Sequence, residues 1–336
     1  MTGAGAPGAP GIMHCLSQDS RIQLYIGDMD PEATGRYLHP NFILLPKATD
    51  PEFATRILEI CIEKNIRLVM PLVTKELLPL AEMHEDFNEH GIHVMVSSEK
   101  SIRIANNKSE CYSFLRRNHI RVPEFYVAHN VNDFTDAAEK LGYPINQFCF
   151  KPSESNGSRG VRIVSANLDE TDLLFNHKPG HLYMTYEHAV SILSSAPFPE
   201  LLVSEYLPGQ EYSVDCLAEN GTPKIILPRI RKKMTGGISV RGTFIKDASL
   251  ITYCEQIIRT LNLHGNIGIQ AKLSKDGEPL LLEINPRVQG TIVAALGAGI
   301  NLPLLAVHQE LGEKIPEDFT IRWNTSFSRF WKEVFY

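Results

Sequence analysis

The chain has 336 residues, 43% hydrophobic and 21% charged, which excludes a disordered chain and is long enough for two or three packed units. A formal net charge of −6 argues against nucleic acid as the main partner, although a local basic groove can still hold a nucleotide. The six cysteines are scattered without a Cys-x-x-Cys pair, as in a reducing compartment, and the longest apolar run, 292–300, is too short to span a bilayer. The start lacks the basic flank of a secretion signal, so a cytoplasmic protein with no membrane segment is expected.

Gly3-Ala4-Gly5-Ala6-Pro7-Gly8 opens the chain as Gly-x-Gly-x-x-Gly, with Asp28 and Asp30 further on. Such a motif needs a preceding strand to place its turn, and only Met1 and Thr2 precede it. Either the natural chain begins upstream of this Met1, which is the favoured expectation, or the first strand is absent. The motif then reads as a tight strand-to-helix turn. The alternative is a nicotinamide-dependent oxidoreductase that uses Gly3, Gly5 and Gly8 for its cofactor.

Strands are expected at 22–26, 42–45, 68–73 and 92–96, with helical periodicity over 51–64 and 75–90. Strands alternating with helices indicate a doubly wound parallel sheet. A helix begins near 105–109, capped by Asn107 or Ser109. Lys108 at its start is disfavoured by the helix dipole, and an anionic partner would remove that objection.

Phe148-Cys149-Phe150-Lys151-Pro152 reads as a short strand, followed by Ser153-Glu154-Ser155-Asn156-Gly157-Ser158-Arg159-Gly160 and a strand at 161–164. The Gly- and Ser-rich loop leaves backbone N–H groups free to cradle phosphate, and Lys151 adds a point charge. It lacks Gly-Lys-Ser/Thr and is not a Walker A loop. His177, His181 and His188 lie near one another without metal spacing and are given no role. An apolar strand then ends at Tyr206-Leu207, Pro208-Gly209 turns the chain, and a second strand leaves through Glu211. A strand at 225–230 enters Arg231-Lys232-Lys233-Met234-Thr235-Gly236-Gly237, then Val240-Arg241-Gly242-Thr243. Basic residues around paired glycines suggest a mobile anion-binding segment, with Arg241 the candidate for a substrate carboxylate or acyl phosphate.

After a helix over 248–261 comes the most informative stretch. Asn266-Ile267-Gly268-Ile269-Gln270-Ala271-Lys272-Leu273 and Pro279-Leu280-Leu281-Leu282-Glu283-Ile284-Asn285-Pro286-Arg287 both alternate as strands, joined by Ser274-Lys275-Asp276-Gly277. Asp-Gly is a hairpin signal, and a two-residue Asp276-Gly277 loop would set Lys275 against Glu278 and Gln270 against Glu283. Apolar residues then face apolar residues throughout. Gln270, Glu283 and Asn285 converge on one sheet face, with Glu283 and Asn285 about 7 Å apart. Hard cations such as Mg²⁺ take oxygen ligands of this kind. Arg287 follows, with a planar fork suited to a phosphate or acyl phosphate. Stretches 290–297 and 304–311 read as helices behind the sheet, and the aromatic tail 323–336 as a final docked strand.

The Glu283-Ile284-Asn285-Pro286-Arg287 hairpin resembles the metal-binding end of the ATP-grasp superfamily, most of all the carbamoyl-phosphate synthase large-subunit branch. The resemblance covers nearly the whole chain. It implies an α/β fold, α+β in the catalytic part: an N-terminal doubly wound domain (1–100), a small ATP-grasp subdomain (101–200) with a lid loop at 153–160, and a C-terminal subdomain (201–336). Two ATP-grasp subdomains would clamp ATP between them. The resemblance further implies that Lys108, Lys151 and Ser158 hold the phosphates. Glu205, Tyr206 and Leu207 would carry adenine, and Glu211 the ribose hydroxyls. Gln270, Glu283 and Asn285 would hold Mg²⁺ or Mn²⁺, and Arg287 would contact the transferred phosphoryl group.

The implied activity is ATP-dependent activation of a carboxylate or bicarbonate as an acyl phosphate, with release of ADP and transfer of the acyl group to an amine or ammonia. Such phosphoryl transfer relies on positioning and charge neutralisation, which suits a site of lysines, arginines and metal ligands without a triad. Unlike a full carbamoyl-phosphate synthase large subunit, the chain has one such unit and no Gly-x-Cys-x-Gly glutaminase motif. A stand-alone carboxylate–amine ligase is therefore expected, with a non-catalytic ATP-binding regulatory module as the alternative. Its partners would be small-molecule acids and amines, with no nucleic acid and no membrane; the resemblance admits a homodimer.

Overall fold

The computed structural model describes residues 1–336 except Asn156, Ser158, 178–181 and Glu317. Ser158, a proposed phosphate contact, and His181 therefore lie outside the described residues. The chain divides into two compact units. Met1–Asn106, Gln210–Ala271 and Leu282–Tyr336 form the first, and Asn107–Gly209 with Lys272–Leu281 the second.

The first unit opens with α1 (Ala9–Leu16), β1 (Ile26–Asp28), α2 (Gly35–Leu38), β2 (Phe42–Leu44), α3 (Phe53–Glu63), β3 (Leu68–Val69), α4 (Thr74–Glu82), α5 (His84–Glu89), β4 (His93–Val94) and α6 (Glu99–Asn106). β1 pairs with β2 and β3 with β4, both parallel, as alternating strands and helices require. Residues 1–4 join the two pairs: the Gly27 N–H donates to the Met1 carbonyl, Ala4 N–H to Gly27, and Thr2 N–H to Met70. β1 starts later than expected because the Ile22 N–H turns back to the Asp19 carbonyl. The helix expected over 75–90 breaks at Met83, whose φ of −99° and ψ of 16° depart from helical values.

The N-terminal glycines are consumed by the fold. A Cβ on Gly8 would lie 2.4 Å from the Gly290 Cα, so this glycine permits a backbone-to-backbone approach. The Gly5 N–H donates to Asp28 Oδ2 at 2.7 Å. A cofactor pyrophosphate would need that N–H and that open backbone face, so the geometry favours the turn over the dinucleotide reading. Gly8→Ala is accordingly expected to destabilise the protein by about 1–3 kcal/mol through overpacking. A urea midpoint equal to the parent's would show that the Gly8–Gly290 contact yields freely.

The second unit contains α7 (Lys108–Arg117), β5 (Phe125–Ala128), α8 (Val131–Lys140), β6 (Phe148–Pro152), β7 (Arg162–Val164), α9 (Glu170–Asn176), β8 (Tyr183–Met184), α10 (Tyr186–Ser195) and β9 (Leu201–Glu205). Its five-stranded sheet runs β5-β9-β6-β7-β8 over a core that includes Phe134, Phe148, Phe150 and Val203. Of the two capping candidates Asn107 serves, its side chain accepting the Glu110 N–H at 2.9 Å.

The first unit resumes with β10 (Glu211–Glu219), β11 (Thr222–Thr235), β12 (Ile238–Phe244), α11 (Ala248–Thr260), β13 (Gly265–Leu273), β14 (Pro279–Asn285), a 3₁₀ turn (Ile292–Leu296), α12 (Leu302–Glu310) and β15 (Ser326–Ser328). The six-stranded sheet runs β14-β13-β10-β11-β12-β15. The basic segment expected to bind an anion forms the end of the 14-residue β11 and a hairpin into β12, turned by Gly236 and Gly237 at φ 55° and 78°. Stretch 290–297 is one 3₁₀ turn rather than a helix. The tail contributes only three residues to the sheet, paired with β12. Phe330, Trp331 and Phe335 are exposed, and Tyr336 stacks on Tyr37.

The tip of the β13–β14 ribbon differs from a two-residue loop. The Gly277 N–H donates to the Ser274 carbonyl and the Ser274 N–H to the Glu278 carbonyl, so Lys275, Asp276 and Gly277 form the loop. Gly277 takes φ +82°, and Asp276 is not left-handed. An Asp-Gly pair in a two-residue turn would need both residues at positive φ, whereas this arrangement asks it only of glycine. Among the described residues no helix is long and apolar enough to cross a membrane.

Candidate functional site

The site begins with strand alternation. On β13, Ile269 and Ala271 are buried, which leaves Gln270 and Lys272 on the other face. On β14, Glu283 and Asn285 lie two residues apart and touch: the Asn285 Nδ2 donates to Glu283 Oε1 at 3.2 Å. Gln270 reaches the same oxygen, donating from Nε2 at 2.7 Å. The expected convergence of these three side chains is therefore present, despite the different loop.

Two arginines complete the group. Arg287 donates from Nη2 to Asn285 Oδ1 (3.1 Å), from Nε to Thr74 Oγ1 (2.9 Å) and from Nη1 to the Val288 carbonyl (2.9 Å). Arg231, on β11, donates from Nη1 to Gln270 Oε1 at 2.6 Å and to Glu211 Oε1 at 2.8 Å. Its Nη2 reaches the Gly237 carbonyl at 2.6 Å. The Arg231 side chain is 4% exposed. Burial lowers both guanidinium pKa values from their ordinary range. Glu211 and Glu283 oppose the shift at Arg231, and Glu283 and Glu76 oppose it at Arg287. Glu76 sits in the first turn of α4, hydrogen-bonded to Thr2, and burial pushes its carboxyl up to about 7.

Arg241 stands apart from this group. Gly242 pairs with Arg231, so the next residue along β12 points to the opposite face, where Arg241 is exposed and pairs with Lys233 and Ser328. The candidate for a substrate anion thus lies on the other face of the sheet from Arg231. Arg231, which sequence reasoning left inside a basic run, holds the position beside Gln270.

In the second unit, Lys108 is 6% exposed and donates from Nζ to the Ser155 carbonyl at 2.8 Å. Lys151 lies over the Tyr112 ring, 5.6 Å from Nζ to centroid. Tyr112 in turn donates through its hydroxyl to the Leu281 carbonyl. Burial pushes the Cys111 thiol up to about 12, against the pull of Lys151 and Lys108, and Cys149 up to about 11, against Lys151 and Lys272. Lys272, two residues after Gln270, is a third basic group of this region and lies 4.6 Å from the Tyr206 ring. Alternation along β13 could have singled it out. Glu205 is tied down locally: its N–H donates to the Glu124 carbonyl and its Oε1 accepts the Glu124 N–H, each at 2.9 Å. Leu207 is buried.

The donor set around Glu283 is one carboxylate with two amides. Among the described residues no group of three or more His, Cys, Asp or Glu is gathered as for a metal. An oxygen set with a single charge fits a hard divalent cation that keeps phosphate oxygens and water as its other ligands, not a cation caged by protein alone. A separate cavity of about 400 Å³ in the first unit, lined by Leu16, Arg21, Leu68 and His308 among others, includes none of these residues.

Residues 197–327 match a family described as "ATP-grasp in the biosynthetic pathway with Ter operon", and residues 12–95 match "PylC-like, N-terminal domain". The carbamoyl phosphate synthase large chain of Caldanaerobacter subterraneus is 26% identical over 245 residues, covering 69% of this chain and 21% of that protein. The chain therefore spans about a fifth of the length of the curated relatives it matches. Among solved structures, the carboxyaminoimidazole ribonucleotide synthase of Aspergillus clavatus, complexed with ATP, aligns with a TM-score of 0.70 at 15% identity. That alignment covers 96% of this chain and 78% of that one. The biotin carboxylase domain of Hydrogenobacter thermophilus 2-oxoglutarate carboxylase, in complex with MgADP, ADP and bicarbonate, aligns at 0.66 and 16% identity, covering 96% and 71%. The fold is thus mixed α/β with ATP-grasp architecture.

Proposed function

We propose that this chain, an ATP-grasp domain preceded by a PylC-like N-terminal domain, is an ATP-dependent carboxylate–amine ligase. The observation that carries the reading is the array Arg231–Gln270–Glu283–Asn285–Arg287: two buried cations, two amides and one carboxylate inside the segment that matches the ATP-grasp family. Such a set neutralises and orients transferring phosphoryl charge, and it contains no acid–base pair.

In this reading Glu283 is the charged metal ligand, with Gln270 and Asn285 at its side. Mg²⁺, or Mn²⁺, when bound neutralises nucleotide phosphate charge. Lys108 and Lys151 steady the phosphates, and Lys272 adds a third charge to the same unit. The nucleoside is assigned to Glu205, Tyr206, Leu207 and Glu211. A substrate carboxylate oxygen attacks the γ-phosphoryl group, giving an acyl phosphate and ADP. An amine then attacks the acyl carbon, forming the C–N bond and releasing phosphate. Arg287 steadies the developing charge, and its partners are a hydroxyl, a carbonyl and an amide oxygen rather than a carboxylate. The three-part division at about residues 100 and 200, a cytoplasmic setting and small-molecule acid and amine partners belong to the same proposal.

The test is release of ADP from Mg-ATP by the purified protein against a panel of carboxylates, with and without amines. ADP that depends on one acid, and a product that depends on one amine, are expected. Tight Mg-ATP binding with no ADP for any pair would point to a regulatory module instead.

A further inference from the structure

The donors and acceptors of this array fix the direction of every hydrogen bond in it. A guanidinium only donates, so the amide atom facing each arginine must be oxygen. Arg231 therefore holds Gln270 with Oε1 toward itself and Nε2 toward Glu283. Arg287 does the same to Asn285, whose Nδ2 also faces Glu283. Both amide N–H groups end on one carboxylate oxygen, Oε1.

We infer that Arg231 is a positioning residue for the metal-bearing carboxylate: through Gln270 it turns Glu283 so that Oε2 is the oxygen presented to a divalent cation. Gln270 is the link in this arrangement: its Oε1 accepts from Arg231 while its Nε2 donates to Glu283. The inference rests on the ligase reading above, and assigns within it a role that the hairpin residues alone do not contain. Arg231 suits the task because one planar fork spans three acceptors on different parts of the chain: Gln270, Glu211 and the Gly237 carbonyl. A lysine ammonium is a point charge on a flexible stem and would not hold the same plane.

The experiment titrates Mn²⁺ by electron paramagnetic resonance in the presence of a non-hydrolysable β,γ-imido ATP analogue, for the parent, Arg231→Lys and Arg231→Met. Each is first checked for its thermal unfolding midpoint. Arg231→Lys keeps the charge and guards against loss of fold in Arg231→Met. At least tenfold weaker Mn²⁺ binding is expected in Arg231→Lys, a larger factor than any change in affinity for the metal-free analogue. In turnover assays the Mg²⁺ concentration for half-maximal rate rises more than kcat falls. Mn²⁺ affinity within twofold of the parent in a folded Arg231→Lys protein overturns the inference and leaves the ligase reading standing. Absence of Mn²⁺–nucleotide binding in the parent itself would end both.

Discussion

Replacing Glu283 by Gln should lower ADP formation by about 10²–10³-fold, the loss typical when one electrostatic stabiliser of a transition state is removed. The substitution preserves shape and removes the one carboxylate in the array. The amide that replaces it still offers an oxygen to Gln270 and Asn285, but no charge to a cation. Arg231 and Arg287 also lose the opposing charge that lies nearest the centre of the group. Steady-state ADP release at saturating Mg-ATP measures the effect, and the thermal midpoint reports the fold. Parent-like turnover in a folded Glu283→Gln protein would remove the metal assignment.

The second large effect is structural and sits deeper in the same sheet. Asp215 on β10 and Arg229 on β11 form an ion pair at 2.8 Å, with side chains 0% and 1% exposed. Arg229 Nη1 and Asp215 Oδ1 are buried with no hydrogen-bond partner among the described residues, so the pair is incompletely satisfied. Removing one member strands a charge where water cannot reach it. Asp215→Ala is expected to cost about 3–5 kcal/mol, read as a fall in the urea midpoint. Asp215→Leu combined with Arg229→Met should recover most of that loss, because well-packed apolar replacements of a buried pair are often neutral or stabilising. A single-variant cost under about 1 kcal/mol would mean that the pair is hydrated in solution.

Much of the candidate site was legible in the residues because its signals are local. Alternation with a period of two puts Glu283 and Asn285 on one face without reference to anything else in the chain. The Asp-Gly pair announced the ribbon, and the Gly- and Ser-rich run after Lys151 announced a loop between strands. The turn at 274–277 was misjudged by one residue, because the loop length depends on which residue takes positive φ, and Asp-Gly fits more than one turn. The β11–β12 hairpin went unread for a different reason. Charged residues and paired glycines look alike in a free loop and in a hairpin, and β12 is the strand that satisfies the β11 backbone.

What the sequence alone determined was the set of chemical groups and their short-range order: an oxygen-rich ribbon ending in an arginine, basic residues before it, and strands alternating with helices at the start. What only the tertiary structure decided was which basic residue meets that ribbon. Arg231 lies 39 positions from Gln270, and the two meet because only β10 separates β11 from β13 in the sheet, so that the Arg231 side chain reaches past Glu211 on β10 to the strand beyond. Arg241, equally basic in the sequence, is turned to the other face by the pleat. Strand order is a property of long-range pairing, and no local period encodes it.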